Sequence, residues 1–260
     1  MLILWEHPLS PYAQKNKIAL REKGVEFEAR TPMGIGSGTA LEDFERMNPR
    51  REVPVLHDGD FSLFDSRLIL EYIEDRWPEP PLLPRDPRER AAARTIEEVM
   101  DRHYEPLNWA LGEIHYFQRA SGELKERLVA AAADDARRLQ GWLEERLSDR
   151  AWFGGDRFGW ADLSVVPYLN GSRGFELGPA AGSPLARWLE RANERPTVSA
   201  TAAEAAAAVA GMSGVAKLVA SGRFRRQYRD HRLEWMIRSG GFEVVRDGLE
   251  RDNIRFNRFP

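Results

Sequence analysis

The sequence predicts an αβ domain followed by an all-helical one. Strand-like and helix-like runs alternate over the first 80 residues. A Pro-rich stretch, "EPPLLPRDP", then reads as a linker. Beyond it the strand signal vanishes and helical patterns follow one another.

"LILWE" is a short apolar run with the length and boundaries of a buried strand. Pro11 suits the first turn of a helix, where its missing N–H is not needed, and the helix continues through Ile18, Ala19 and Leu20. Gly24 stands where a C-cap glycine would. "VEFEAR" reads as a second strand. It is followed by a Gly-rich loop, "TPMGIGSGTA", and a short helix over residues 41–47. In "VPVLHDGDFSLFD" two apolar runs flank Asp58-Gly59, the pair that a tight type I′ hairpin prefers. A third helix opens after Asp65-Ser66, with Leu68, Ile69, Tyr72 and Ile73 on its apolar face.

The second half predicts helices over 88–118, 123–148, 160–173 and 184–193, with an Ala-rich stretch at 200–210. This divides the chain into an N-terminal domain (1–80), a linker (81–90), an all-helical domain (91–211) and a C-terminal extension (212–260) that is expected to be helical. Residues 213–260 hold 11 Lys+Arg against 6 Asp+Glu. They also carry Trp235, Met236, Ile237, Val244, Val245 and Leu249, so the segment predicts a folded element rather than a basic arm.

Composition narrows the function. With 42% apolar and 30% charged residues the chain can build a sizeable core. A formal charge of −3 shows no nucleic-acid footprint. No run of 18 apolar residues exists, so no membrane span is expected. The start, "MLILWEHPLS", lacks a basic n-region and does not read as a signal peptide, so cytoplasmic residence is expected. With no Cys there is no disulfide, thiolate metal site or cysteine nucleophile, and any thiol must arrive on a ligand.

Three short motifs point to such a ligand. Ser10 immediately precedes a helix, whose first N–H groups and partial positive charge favour an anion. A hydroxyl donated to a thiolate there would lower a thiol pKa from about 8.5. Ser10 also reads simply as an N-cap. Val53-Pro54 begins a strand, and a cis bond there would expose the Val53 N–H and C=O to an extended peptide. An edge-strand proline is the plainer alternative. Asp65-Ser66 opens the third helix, and it would hold an α-amino-acid end, carboxylate on Ser66 and ammonium on Asp65, or serve as a cap. Together the three describe one ligand: a thiol tripeptide with a free amino-acid end.

"SPYAQKNKIAL" (10–20), "NPRREVPVL" (48–56), "FDSRLILEYIEDRWP" (64–78) and "FGWADLSVVPYL" (158–169) resemble, in this order, the cytosolic glutathione transferase superfamily over roughly residues 1–200. The serine-type classes (tau, zeta, theta) are the nearest comparison, in a bacterial-like member with a lengthened C-terminus. The resemblance implies a thioredoxin-like N-terminal domain, an all-α C-terminal domain, glutathione as co-substrate, a small hydrophobic electrophile, no metal and a homodimer. It casts Ser10 as the residue that activates the glutathione thiol. Pro54 matches the cis-proline, Val53 pairs with the cysteinyl backbone beside Glu52, and Asp65 and Ser66 grip the γ-glutamyl end. Tyr12 stands where tau and omega-like members carry an aromatic. The implied chemistry is conjugation. Lyase, isomerase or dehalogenase chemistry and a non-catalytic binding role stay open, because fold similarity does not choose among them.

The segment "DRHYEPLNWALGEIHYFQ" (101–118) lies where the family lines its second-substrate pocket. Aromatics at helical spacing are ordinarily core, but this position leads Tyr104 and Trp109 to be expected at the pocket. His103 and His115 are the acid–base candidates, with a solvated or core role as the plainer reading. Two departures stand out. The family's Ser/Thr-x-x-Asp capping box has Gly159 at its first position with Asp162 retained, which makes Asp162 structural. The chain after about residue 211 runs longer than the common family ending, so the resemblance does not explain it. It reads either as a wall over the cleft, with an Arg near enough to meet anionic glutathione or an acidic substrate, or as a partner-docking or purely packing element; packing near the cleft is the favoured expectation.

Overall fold

The computed structural model describes residues 1–35 and 42–256, with only the backbone of Glu42. The second half of the predicted loop "TPMGIGSGTA" (36–40) and Leu41 therefore lie outside the described residues, as do 257–260.

The N-terminal domain runs β1 (Leu2–Trp5), α1 (Pro11–Glu22), β2 (Glu28–Arg30), α2 (Glu42–Met47), β3 (Val55–Asp58), β4 (Phe61–Phe64) and α3 (Ser66–Arg76). The sheet order is β2-β1-β3-β4. β1 pairs parallel with β2 and antiparallel with β3, with Leu4 opposite Leu56. Asp58 and Phe61 close the β3–β4 hairpin, and Gly59 takes φ +67°, the left-handed conformation the turn demands. The predicted strand "VEFEAR" shortens to its last three residues, and Val25 and Phe27 instead pack against the core. Leu4, Ile18, Leu20, Leu56, Ile69 and Ile73 are almost wholly buried.

α1 departs from an amphipathic helix. Gln14, Lys15, Asn16 and Lys17 are buried along with Ile18, Ala19 and Leu20. α1 packs against α3 and against the later helices over Trp160–Arg173 and Pro196–Val209. Its lysines survive burial because each has two carboxylates. Lys15 Nζ is 2.6 Å from both Glu97 and Asp101. Lys17 Nζ is 2.7 Å from Glu6 and 2.8 Å from Glu204.

The helical domain comprises α4 (Pro87–Val99), α5 (Glu105–His115), α6 (Gly122–Leu147), α7 (Trp160–Arg173), α8 (Pro184–Asn193) and α9 (Pro196–Val209). The single helix expected over 88–118 is replaced by α4, a π-helical turn over Met100–Tyr104, and α5. Pro106 has no N–H, and its ring crowds the preceding turn, so the regular i→i−4 ladder cannot run through it. The widened turn takes up the mismatch, and the Glu105 N–H bonds to the Met100 carbonyl.

Asp162 is fully buried and accepts from the Phe153 and Gly159 N–H groups at 3.0 Å and from the Trp188 indole at 2.8 Å. Burial nevertheless pushes its pKa up to about 6. A Cβ at Gly159 would lie 2.5 Å from the Leu82 carbonyl oxygen, which explains the missing capping-box side chain.

The extension is not purely helical. It contains α10 (Val215–Ala220), β5 (Arg226–Gln227), α11 (Asp230–Arg238), α12 (Phe242–Glu250) and β6 (Ile254–Arg255), with β5 and β6 paired in parallel. It docks on one stripe of α5, Glu105, Trp109 and Glu113, spaced four apart and so on one face. Arg232 Nη2 is 2.5 Å from Glu105, and Arg226 pairs with Glu113. The Tyr228 ring meets Trp109 edge-on at 4.7 Å. Trp235 donates to Asp135 at 2.9 Å, fixing α11 to α6. From there the chain reaches the first domain: Gln227 donates to Glu52 at 2.6 Å, and Arg255 donates to the Arg50 and Arg51 carbonyls.

Candidate active site

A cavity of about 310 Å³ lies where the N-terminal domain, the π turn and the extension converge. The N-terminal domain contributes Tyr12, Asn48, Arg50, Glu52, Val53, Pro54, Asp65 and Ser66. The π turn contributes Asp101 and Arg102, and the extension Arg229 and His231.

The loop before β3 is held from within. Buried Asn48 donates to the Glu52 carbonyl at 2.7 Å and accepts from the Arg50 N–H at 3.0 Å. The Val53–Pro54 bond is cis. Asp65 has φ 81°, a conformation rare for a residue with a Cβ. Its carboxylate is fixed there, accepting from the Arg67 N–H and from the Arg50 guanidinium, each at 3.2 Å. Ser66 begins α3 and is buried. Glu52 lies 3.2 Å from Arg50 and 3.8 Å from Arg229.

Tyr12 turns its hydroxyl into the protein. It donates to the Asp101 carbonyl at 2.9 Å and lies 3.4 Å from His231 Nε2. Burial, reinforced by the charges of Glu105 and Asp101, pushes its pKa well above 10, so it is a neutral phenol whose ring walls the cleft. His231 is gripped on both nitrogens, by Glu105 at 3.0 Å and Asp230 at 2.9 Å. Burial would raise Glu105, but Arg232 and His231 outweigh it and hold its pKa at about 2.

Ser10 caps α1 and is half-buried, its Oγ accepting from the Ala13 N–H at 3.4 Å. It adjoins the cleft in sequence but is not among the lining residues. Two expected pocket residues lie elsewhere. Tyr104 is fully buried, bonded to Gln140 at 2.9 Å and Ser172 at 3.0 Å. Trp109 is covered by Tyr228. Of the two histidine candidates, His115 stacks on Phe175 and His103 does not line the cleft. The sequence reading missed His231, Asp101 and Arg102. An adjacent Asp-His pair in the tail was the available signal for the first of these. Among the described residues no cluster of metal-binding side chains occurs, and no helix is long and apolar enough to cross a membrane.

Comparison with known proteins agrees with this architecture. Residues 4–81 match the family "Glutathione S-transferase, N-terminal domain", and residues 90–196 match "Glutathione S-transferase, C-terminal domain". Glutathione S-transferase U28 of Arabidopsis thaliana is 31% identical over 202 residues, 75% of this chain and 85% of that protein. A stringent starvation protein A homolog of Haemophilus ducreyi is 28% identical over 193 residues, covering 72% and 83%. The crystal structure of rice GST1 in complex with glutathione superposes with a TM-score of 0.68 at 29% identity, over 84% of this chain and 97% of that one. The two matched domains, in this order and on this sheet topology, place the chain in the glutathione S-transferase superfamily.

Proposed function

We propose that the protein is a glutathione transferase whose residues 1–80 hold glutathione, while the helical domain and the extension wall the electrophile. One observation carries this reading: Val53–Pro54 and Asp65–Ser66, from two separate elements, line a single cleft. In it, the Val53 backbone pairs with the cysteinyl residue of the tripeptide. The Ser66 N–H and hydroxyl receive the γ-glutamyl carboxylate, and Asp65, already fixed by Arg50, receives the ammonium.

The sulfur then lies toward the start of α1. Ser10 Oγ accepts from the Ala13 N–H at 3.4 Å and, among the described residues, donates to no acceptor, so its proton is available to donate to sulfur. That hydrogen bond and the helix N-terminus favour the thiolate, which attacks an electrophilic carbon held beside it.

Thiolate absorbance of bound glutathione against pH tests this in wild type and Ser10→Ala. The expected result is a bound thiol pKa well below about 8.5 that returns toward it in the variant. Binding without a shift would instead support a second reading, a non-catalytic glutathione binder. That reading draws support from the placement of Ser10 outside the cavity lining and from the similarity to a stringent starvation protein A homolog.

A further inference from the structure

We propose that the second ligand of this cleft carries a carboxylate, and that Arg229 of the extension receives it. The proposal rests on the transferase reading for its chemistry, but the binding it predicts can be read without turnover.

Most of the charges lining the cleft stand within 3.5 Å of an opposite charge. Arg50 lies 3.2 Å from Asp65 and from Glu52, Arg67 lies 3.5 Å from Glu98, and Arg102 lies 3.1 Å from Glu98 and 3.0 Å from Asp230. Asp101 is held at 2.6 Å by Lys15 and at 2.7 Å by the Tyr168 hydroxyl. Arg229 differs. Its nearest carboxylate oxygen is Glu52 Oε1 at 3.8 Å, and that oxygen already accepts from Gln227 at 2.6 Å. Among the described residues no acceptor bonds the Arg229 guanidinium, although its side chain is only 24% exposed. A largely desolvated cation without a hydrogen-bonded counter-charge favours an incoming anion.

The group is also pre-positioned. It sits over the Tyr12 ring, 5.5 Å from the centroid, at the start of a helix anchored by Arg232 on Glu105. A planar carboxylate matches the guanidinium fork, and the Tyr12 ring offers a flat face to the rest of the molecule. The chemistry therefore fits a small aromatic or apolar carboxylic acid. Glutathione's own glycyl carboxylate is the other source of the same chemistry.

Calorimetry on the full chain compares 4-chloro-3-nitrobenzoate with its neutral amide, with and without S-methylglutathione, which cannot act as a nucleophile. Wild type is expected to prefer the acid by at least about tenfold. Arg229→Gln should bind the two alike, and Arg229→Lys should recover part of the preference. Amide affinity serves as the folding control. Equal affinity for acid and amide in wild type would overturn the proposal. So would an Arg229→Gln protein that loses S-methylglutathione while keeping its preference for the acid, because Arg229 would then grip glutathione. If S-methylglutathione binds to no variant but the acid preference depends on Arg229, the transferase reading falls and this one stands.

Discussion

The Tyr12 hydroxyl lies 3.4 Å from Nε2 of His231, 219 positions later in the chain. The first helix of the N-terminal domain is thus in contact with a segment that lies beyond the family match, which ends at residue 196. Tyr12→Phe keeps the ring and removes the hydroxyl, leaving the Asp101 carbonyl without its donor. We expect a loss of about 1 kcal/mol in urea unfolding, with the ring's part in the cleft intact.

Glu105 ties α5 to the extension. Removing its charge in Glu105→Gln strands Arg232, whose pairing Glu105 supplies at 2.5 Å, and is expected to cost about 3–5 kcal/mol. The pH dependence follows from the lowered folded pKa of about 2 against an ordinary 4.5. A lowered carboxylate binds fewer protons when folded. Its contribution is therefore complete above about pH 4.5 and is lost as pH falls toward 2. Denaturant melts of wild type and variant should converge over that acid window and differ most near neutrality.

Trp109 is the centre of the docking stripe, pressed edge-on against Tyr228. Trp109→Ala should cost about 3–5 kcal/mol and loosen the extension before the rest of the chain. Limited proteolysis followed by mass spectrometry checks this. Early cuts should appear after residue 212 in the variant and not in wild type.

Gly159→Ser would restore the first residue of the family's capping box, yet we expect it to destabilise. The added Cβ would approach the Leu82 carbonyl to 2.5 Å, and that carbonyl also accepts from the Trp160 N–H at 2.8 Å. The loss should be about 1–3 kcal/mol by thermal melting.

The legible features were those written in neighbouring residues. Asp58-Gly59 predicted its hairpin, Pro11 predicted the start of α1, and Asp65-Ser66 predicted the start of α3. The residues expected at the ligand from the first domain, Ser10 excepted, line one cavity. What stayed hidden depended on partners far away in sequence. Nothing near "QKNK" in α1 marks it as buried, because the carboxylates that pair with Lys15 lie 82 and 86 positions away. Tyr104 and Trp109 showed helical spacing but not the direction they face. That direction depends on Gln140 and Ser172 in one case and on Tyr228 in the other. The sequence had marked the extension as folded and near the cleft, but its two short strands escaped notice because each is only two residues long.

The π turn over Met100–Tyr104 has a consequence for angular phase. Each residue of an α-helix advances the face by about 100°. Upstream of the turn, Glu97 meets Lys15 and the Trp160 indole. Downstream, Glu105, Trp109 and Glu113 meet the extension. Deleting one residue within the turn would leave every side chain of α5 chemically intact but rotate its docking stripe by about a quarter turn. The arginines of the extension would then meet the wrong face, and the cleft would lose its outer wall without any change to the residues that form it.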